Sequence, residues 1–151
     1  MRMRDARPLP WIAVALAAFL SAAGCAGPGV SPPIAIGTPC VACGMDVRDL
    51  RFACQRRAGR AWRVYDAIEC LLRDARAGDG AVAPAWLADY DRQTLHEADS
   101  MWVVQGEFPS PMGGGLAAFL ARAAAESVAV ETRGRVDRLG AFLRAPQESV
   151  R

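Results

Sequence analysis

A run of ten apolar residues, Trp11-Ile12-Ala13-Val14-Ala15-Leu16-Ala17-Ala18-Phe19-Leu20, sets how much of this 151-residue chain is available to fold. It is preceded by Arg2, Arg4 and Arg7 against the single acid Asp5, and followed by Ser21-Ala22-Ala23-Gly24 and then Cys25. Ten residues are about half of the ~20 that a helix needs to cross a hydrocarbon core. A basic start, a short apolar middle and a small-residue exit describe a secretory leader rather than a retained anchor. Removal of residues 1–24 leaves 127 residues, enough for one compact unit or two very small ones.

The exit Ala22-Ala23-Gly24-Cys25 resembles a bacterial lipobox, with Ala22 where Leu is common. Cys25 is then expected to be lipidated and to become the new N-terminus. Ala26 rather than Asp follows it, which favours the outer membrane of a Gram-negative cell over inner-membrane retention. The expected location is the cell envelope, lipid-anchored and facing the periplasm. Residues 25–39 are rich in Gly and Pro and read as a flexible tether. The folded domain is expected over residues 40–145, with a tail at 146–151. All 18 basic residues are Arg, and beyond the leader 15 of them face 15 acids, so charge gives no case for nucleic acid.

Phe52-Ala53-Cys54 and Trp62-Arg63-Val64 alternate around Ala58-Gly59-Arg60 and predict a β-hairpin. Asp66-Ala67-Ile68-Glu69 opens a helix in the manner of a capping box; Ile68, Leu71, Leu72 and Ala75 share its apolar face, and Gly78 ends it. Trp86 to Tyr90 predicts a third strand. In the second half, Met101 to Gln105 reads as a strand, and Leu116, Phe119, Leu120 and Ala123 as an amphipathic helix. Ser127 to Thr132 then reads as a strand, and Val136, Leu139, Phe142 and Leu143 as a short final helix. Two strand-rich halves with one main helix each predict an α+β architecture.

The chemistry lies in Cys40-Val41-Ala42-Cys43-Gly44-Met45, which places two thiols and a thioether within six residues. Thiolate and thioether are soft donors that select Cu(I), which two or three sulfurs satisfy. Cys43 and Met45 would share a face in an extended strand. A second thioether, Met112, sits in Ser110-Pro111-Met112-Gly113-Gly114-Gly115, ahead of the helix expected from Leu116, whose positive end would favour a nearby thiolate. The same Cys40/Cys43 pair in an exported protein also fits a thiol-disulfide oxidoreductase, and an even cysteine count fits a structural envelope lipoprotein. Cys54 and Cys70 read as small buried hydrophobes. Zinc would want four Cys and His donors, and the single histidine, His96, does not supply them. The Gly run lacks the Lys-Ser/Thr of a phosphate loop. No nucleophile and base can be paired, so no enzymatic activity is expected.

Taken together, the leader ending in Cys25, Cys43-Gly44-Met45, Tyr65-Asp66-Ala67-Ile68-Glu69-Cys70-Leu71-Leu72, Ala88-Asp89-Tyr90, Trp102-Val103-Val104-Gln105-Gly106 and Ser110-Pro111-Met112-Gly113 with Ala118-Phe119 resemble the NosL family. These are lipoprotein copper chaperones for nitrous oxide reductase assembly. The resemblance runs through nearly the whole chain beyond the leader. It implies two small ββαβ-like halves, Cu(I) as cargo, and delivery to nitrous oxide reductase and its membrane-bound maturation complex. It also implies a Cys and a Met as metal ligands, carried here by Cys43 and Met112 with Cys40 and Met45 next. Cys40 departs from members with one thiol in this motif, leaving open two-thiolate binding or a Cys40–Cys43 disulfide in the metal-free protein.

Overall fold

The Gly59-Arg60 turn closes a two-stranded hairpin, as its punctuation predicts. In the computed structural model, which describes residues 30–82 and 84–145, β1 (Cys54–Ala58) pairs antiparallel with β2 (Ala61–Tyr65). Gly59 takes φ +61, a left-handed conformation that glycine adopts without steric cost. The expected leader, the Cys25 lipidation site and the 146–151 tail lie outside the described residues.

Helix α1 (Ile68–Ala77) buries Ile68, Cys70, Leu71, Leu72 and Ala75 on one side and is followed by Gly78, whose N–H donates to Asp74 O at 3.1 Å. Burial of each large aliphatic chain contributes roughly 1.5–3 kcal/mol, so packing rather than local propensity holds the helix in place. The predicted capping box does not form: the N-cap is Ala67, with no side-chain cap bond. Asp66 and Glu69 are engaged elsewhere. The chain returns through β3 (Ala85–Ala88), paired with β1, to β4 (Leu95–Glu97), giving the order β2-β1-β3-β4.

After a 3-10 turn at Ala98–Ser100, the second half runs β5 (Trp102–Gln105), β6 (Leu116–Phe119), α2 (Arg122–Glu131), β7 (Arg135–Asp137) and α3 (Leu139–Arg144). Its sheet is ordered β6-β5-β7. In both halves the first strand lies between the second and the third, with the helix connecting the second to the third. The α+β fold of two ββαβ-like halves therefore holds, although local expectations in the second half fail; Val136, expected in the final helix, lies in β7, ahead of α3.

Leu116 to Phe119 is a strand rather than a helix. Leu116 and Ala118 belong to a core shared with α1, whereas Ala117 and Phe119 belong to a second core with Ala125 and Ala129 of α2. A strand buried on both faces reads as a continuous apolar run, and such a run fits either period. Ser127 to Thr132 in turn falls largely within α2. The alternation of Val128 and Val130 suggests a strand, yet Val130 is 81% exposed and the packing comes from Ala125 and Ala129, four apart.

Of the expected 25–39 tether, Pro32, Gly37 and Thr38 are hydrogen-bonded to the domain. Gln55 Nε2 donates to Pro32 O at 2.7 Å, Gly37 N–H to Val47 O at 2.9 Å, and Val47 N–H to Thr38 O at 2.9 Å. Beyond β3, Asp89 forms an isolated parallel bridge with Ala118, and Tyr90 N–H donates to Ala118 O at 2.8 Å, so β6 joins the two sheets.

Candidate metal centre

Pro39 and Asp46 form an antiparallel bridge, and the six residues between them close into a turn. Cys40 N–H donates to Met45 O at 2.8 Å and Gly44 N–H to Cys40 O at 2.9 Å, with Gly44 at φ +77. Val41 N–H donates to Val64 O at 3.0 Å and docks the turn on β2. This differs from the extended strand in which Cys43 and Met45 would share a face. Reversal at Gly44 leaves Met45 45% exposed, while Cys40 is buried and Cys43 half-buried beside α1.

The Cys43 Sγ donates to Asp66 Oδ1 at 3.5 Å. Asp66 is 3% exposed and immediately precedes the N-cap of α1. Cys70 occupies the first turn of the helix, its N–H donating to Ala67 O at 3.1 Å. One ligand atom from each of Cys40, Cys43, Asp66 and Cys70 lies within 4.8 Å of all the others. The expectation of Cys70 as a packing residue is thus incomplete: it is fully buried and stands within a donor cluster. Cys54 is also fully buried, its thiol directed to Ala67 O at 3.6 Å, outside the cluster. All four of these cysteines are free thiols.

Two features beside the cluster bear on its charge. Arg73 Nη2 donates to Ala42 O at 3.2 Å and to Cys70 Sγ at 3.5 Å, which ties the turn to the helix and brings a cation to the sulfur. Cys70 also lies at the positive end of α1. Against these, burial pushes the Cys40 thiol above its ordinary value, only partly offset by backbone hydrogen bonds, and burial followed by the contact with Asp66 pushes Cys70 far higher. Cys40 and Cys70 are therefore held as neutral thiols in the metal-free cluster, and a metal ion must displace their protons to be ligated by them.

Met112, like Cys43 and Ala42, is half-buried against the large core that contains Cys40 and Cys70. No helix begins at Leu116, so the dipole expected near Met112 is absent; the helix end at the site is that of α1. A cleft of about 690 Å³ opens between the 40–45 turn and the 109–111 segment, lined by Met45, Phe52, Asp66, Pro109, Ser110 and Pro111 among others. Asp66 is both a wall of the cleft and a member of the cluster. His96 is in β4, with Nε2 3.0 Å from Thr94 Oγ1, and is not part of the cluster.

The donor set is three sulfurs and one carboxylate oxygen. Three sulfurs match Cu(I), and adding the oxygen completes a four-donor set of the kind zinc uses. The sequence count of zinc donors missed this because Asp66 read as a helix cap and Cys70 as core. The one available signal was their spacing: residues four apart at a helix start lie on the same side.

Fold and site together define an α+β domain with a buried soft-donor centre able to hold a metal ion. No family model and no curated protein matches the chain. Among solved structures, the crystal structure of the copper chaperone NosL from Shewanella denitrificans aligns with a TM-score of 0.65 at 16% identity, covering 82% of this chain and 100% of that one. The chain has the fold of that protein.

Proposed function

We propose that this chain is a Cu(I)-binding lipoprotein chaperone, anchored in the cell envelope through Cys25 and facing the periplasm. In this reading it passes Cu(I) to the membrane-bound complex that assembles the copper-sulfide centre of nitrous oxide reductase. The observation that carries it is the convergence of Cys40, Cys43 and Cys70 with Asp66. Three thiols satisfy Cu(I) without nitrogen ligands, and the exposed thioether Met45 lines the cleft that Asp66 shares with the cluster. Support also comes from the shared fold with a copper chaperone and from the leader ending in Cys25.

A thiol-disulfide oxidoreductase is less well supported. Exchange begins with an accessible thiolate, whereas burial raises Cys40 and Cys70, and a third thiol with a carboxylate has no part in a dithiol cycle. The test is anaerobic titration of the reduced domain with Cu(I), paired with deletion of the gene in its host. One Cu(I) per chain with sulfur-dominated X-ray absorption supports the metal reading. A reductase that is exported but poor in its copper-sulfide centre at limiting copper supports the client. Failure of a different cuproenzyme instead reassigns the client alone.

A further inference from the structure

Glu69 lies on α1 next to Cys70 in sequence, with its carboxylate bonded to the loop that carries Met112. Its Oε1 accepts from Ser110 Oγ at 2.8 Å and from Leu116 N–H at 3.4 Å. Ser110 Oγ accepts in turn from Gly115 N–H at 3.0 Å, and Gly113 N–H donates to Ser110 O at 3.0 Å. The loop backbone comes so close that a Cβ at Gly114 would lie 2.7 Å from Glu69 Cγ and 2.8 Å from Oε1. Glu69 Oε2 is buried without a protein partner. A buried carboxylate with one orphaned oxygen is a cost that an apolar residue at this helix position would avoid. What the carboxylate secures in exchange is the 110–116 segment, which includes Met112 and, through Ser110 and Pro111, one wall of the cleft.

We infer that Glu69 is a positioning residue that holds Met112 against the core that contains Cys40 and Cys70, and thereby slows the release of Cu(I) to an acceptor. The second half of this inference rests on the proposed copper function; the first does not. The carboxylate touches no sulfur of the cluster in this arrangement. It acts by fixing the 110–116 segment, which carries Met112 and forms one wall of the cleft that Asp66 shares with the cluster.

The two halves are tested separately. In the reduced, copper-free domain, methionine methyl groups labelled with carbon-13 are observed by NMR in the presence of a soluble paramagnetic agent. Met101, fully buried, and Met45, 45% exposed, serve as internal references. In the wild type, the Met112 methyl is expected to relax at a rate between theirs. Glu69→Ala should bring Met112 to within about twofold of Met45 while Met101 remains protected, whereas Glu69→Gln, which keeps an acceptor oxygen, should leave Met112 at the wild-type rate. Ser110→Ala removes only the hydroxyl and should move Met112 in the same direction; it decides the matter if Glu69→Ala exposes Met101 and so proves unfolded. In the copper-loaded protein, transfer to a bidentate Cu(I) chelator should be several-fold faster in Glu69→Ala and Ser110→Ala than in the wild type or Glu69→Gln. An unchanged Met112 rate in a folded Glu69→Ala or Ser110→Ala overturns the positioning role. An unchanged transfer rate with a freed Met112 overturns its link to release. Failure of the wild type to bind Cu(I) refutes the copper function and leaves the NMR result standing.

Discussion

The Cys43 thiol donates to Asp66 Oδ1 at 3.5 Å, a contact that takes the place of the helix cap expected of Asp66. A carboxylate used as a cap would face the first backbone N–H groups of α1 and leave the thiols with one another. Turned inward, it becomes the single oxygen in a cluster of sulfurs and the one group that the cluster shares with the cleft.

The cysteines should divide into three that matter for metal and one that does not. Cys40→Ser, Cys43→Ser and Cys70→Ser are each expected to weaken Cu(I) binding by about tenfold or more, equivalent to ~1.4 kcal/mol. Cys54→Ser should leave affinity within about twofold while lowering stability, because it buries a hydroxyl among apolar neighbours. Competition against a chromophoric Cu(I) chelator measures all four. Wild-type affinity in Cys70→Ser would return that residue to a packing role.

Asp66→Asn should separate copper from zinc. Cu(I) is satisfied by sulfur, so its affinity is expected to change by about threefold at most. Zn(II) needs the fourth, oxygen donor, and its affinity should fall about tenfold or more. Parallel competition titrations with the two ions check this, and equal losses for both would assign Asp66 to the Cu(I) shell as well.

Alkaline pH should destabilise the metal-free protein. Burial holds Cys40, Cys54 and Cys70 above the ordinary thiol value in the folded state, and burial with the Asp74 contact raises Tyr65. A group with a raised folded pKa contributes stability that is full below its unfolded value and is lost as pH rises through the folded one. The denaturation midpoint should therefore fall as pH rises above about 9, less steeply in Cys70→Ser. Cu(I) affinity should rise with pH over the same range, because each thiol that ligates gives up its proton. A flat midpoint between pH 8 and pH 10, on the order of the thiol range, would refute the sign.

The two ends of the Gly113-Gly114-Gly115 run should respond differently to alanine. Gly113 has φ +72 with open space where a Cβ would stand, so Gly113→Ala is expected to cost about 1 kcal/mol. Gly115 has φ +62 and would drive its Cβ onto the carbonyl oxygen of Gly106, so Gly115→Ala should cost more than about 2 kcal/mol. Urea denaturation of the two variants gives the comparison, and equal losses would contradict the close approach.

Helix α1 was legible because it buries one face, and the hairpin because Gly59 punctuates its strands; β3 is buried throughout and was legible only as a short apolar run. Trp62-Arg63-Val64 and the Ile68, Leu71, Leu72, Ala75 set carry their period openly. The interchange of strand and helix between Leu116 and Thr132 was not legible: β6 touches a different core on each face, and α2 packs through two alanines that give little periodic signal. At the site, the sequence revealed the near neighbours Cys40 and Cys43. It did not reveal Cys70, Asp66, Arg73 or the Glu69–Ser110 bond, since each depends on which way a helix-start side chain turns once the halves have packed.

Cys43 and Asp66 are 23 residues apart in sequence, and the full donor set exists only when the 40–45 turn is docked on β2 and α1. An unfolded chain offers a chelating pair and nothing more. An ion held by all four donors would therefore require complete tertiary structure, and while bound would bias the chain against unfolding by mass action. In the proposed delivery role, a damaged copy would arrive without cargo.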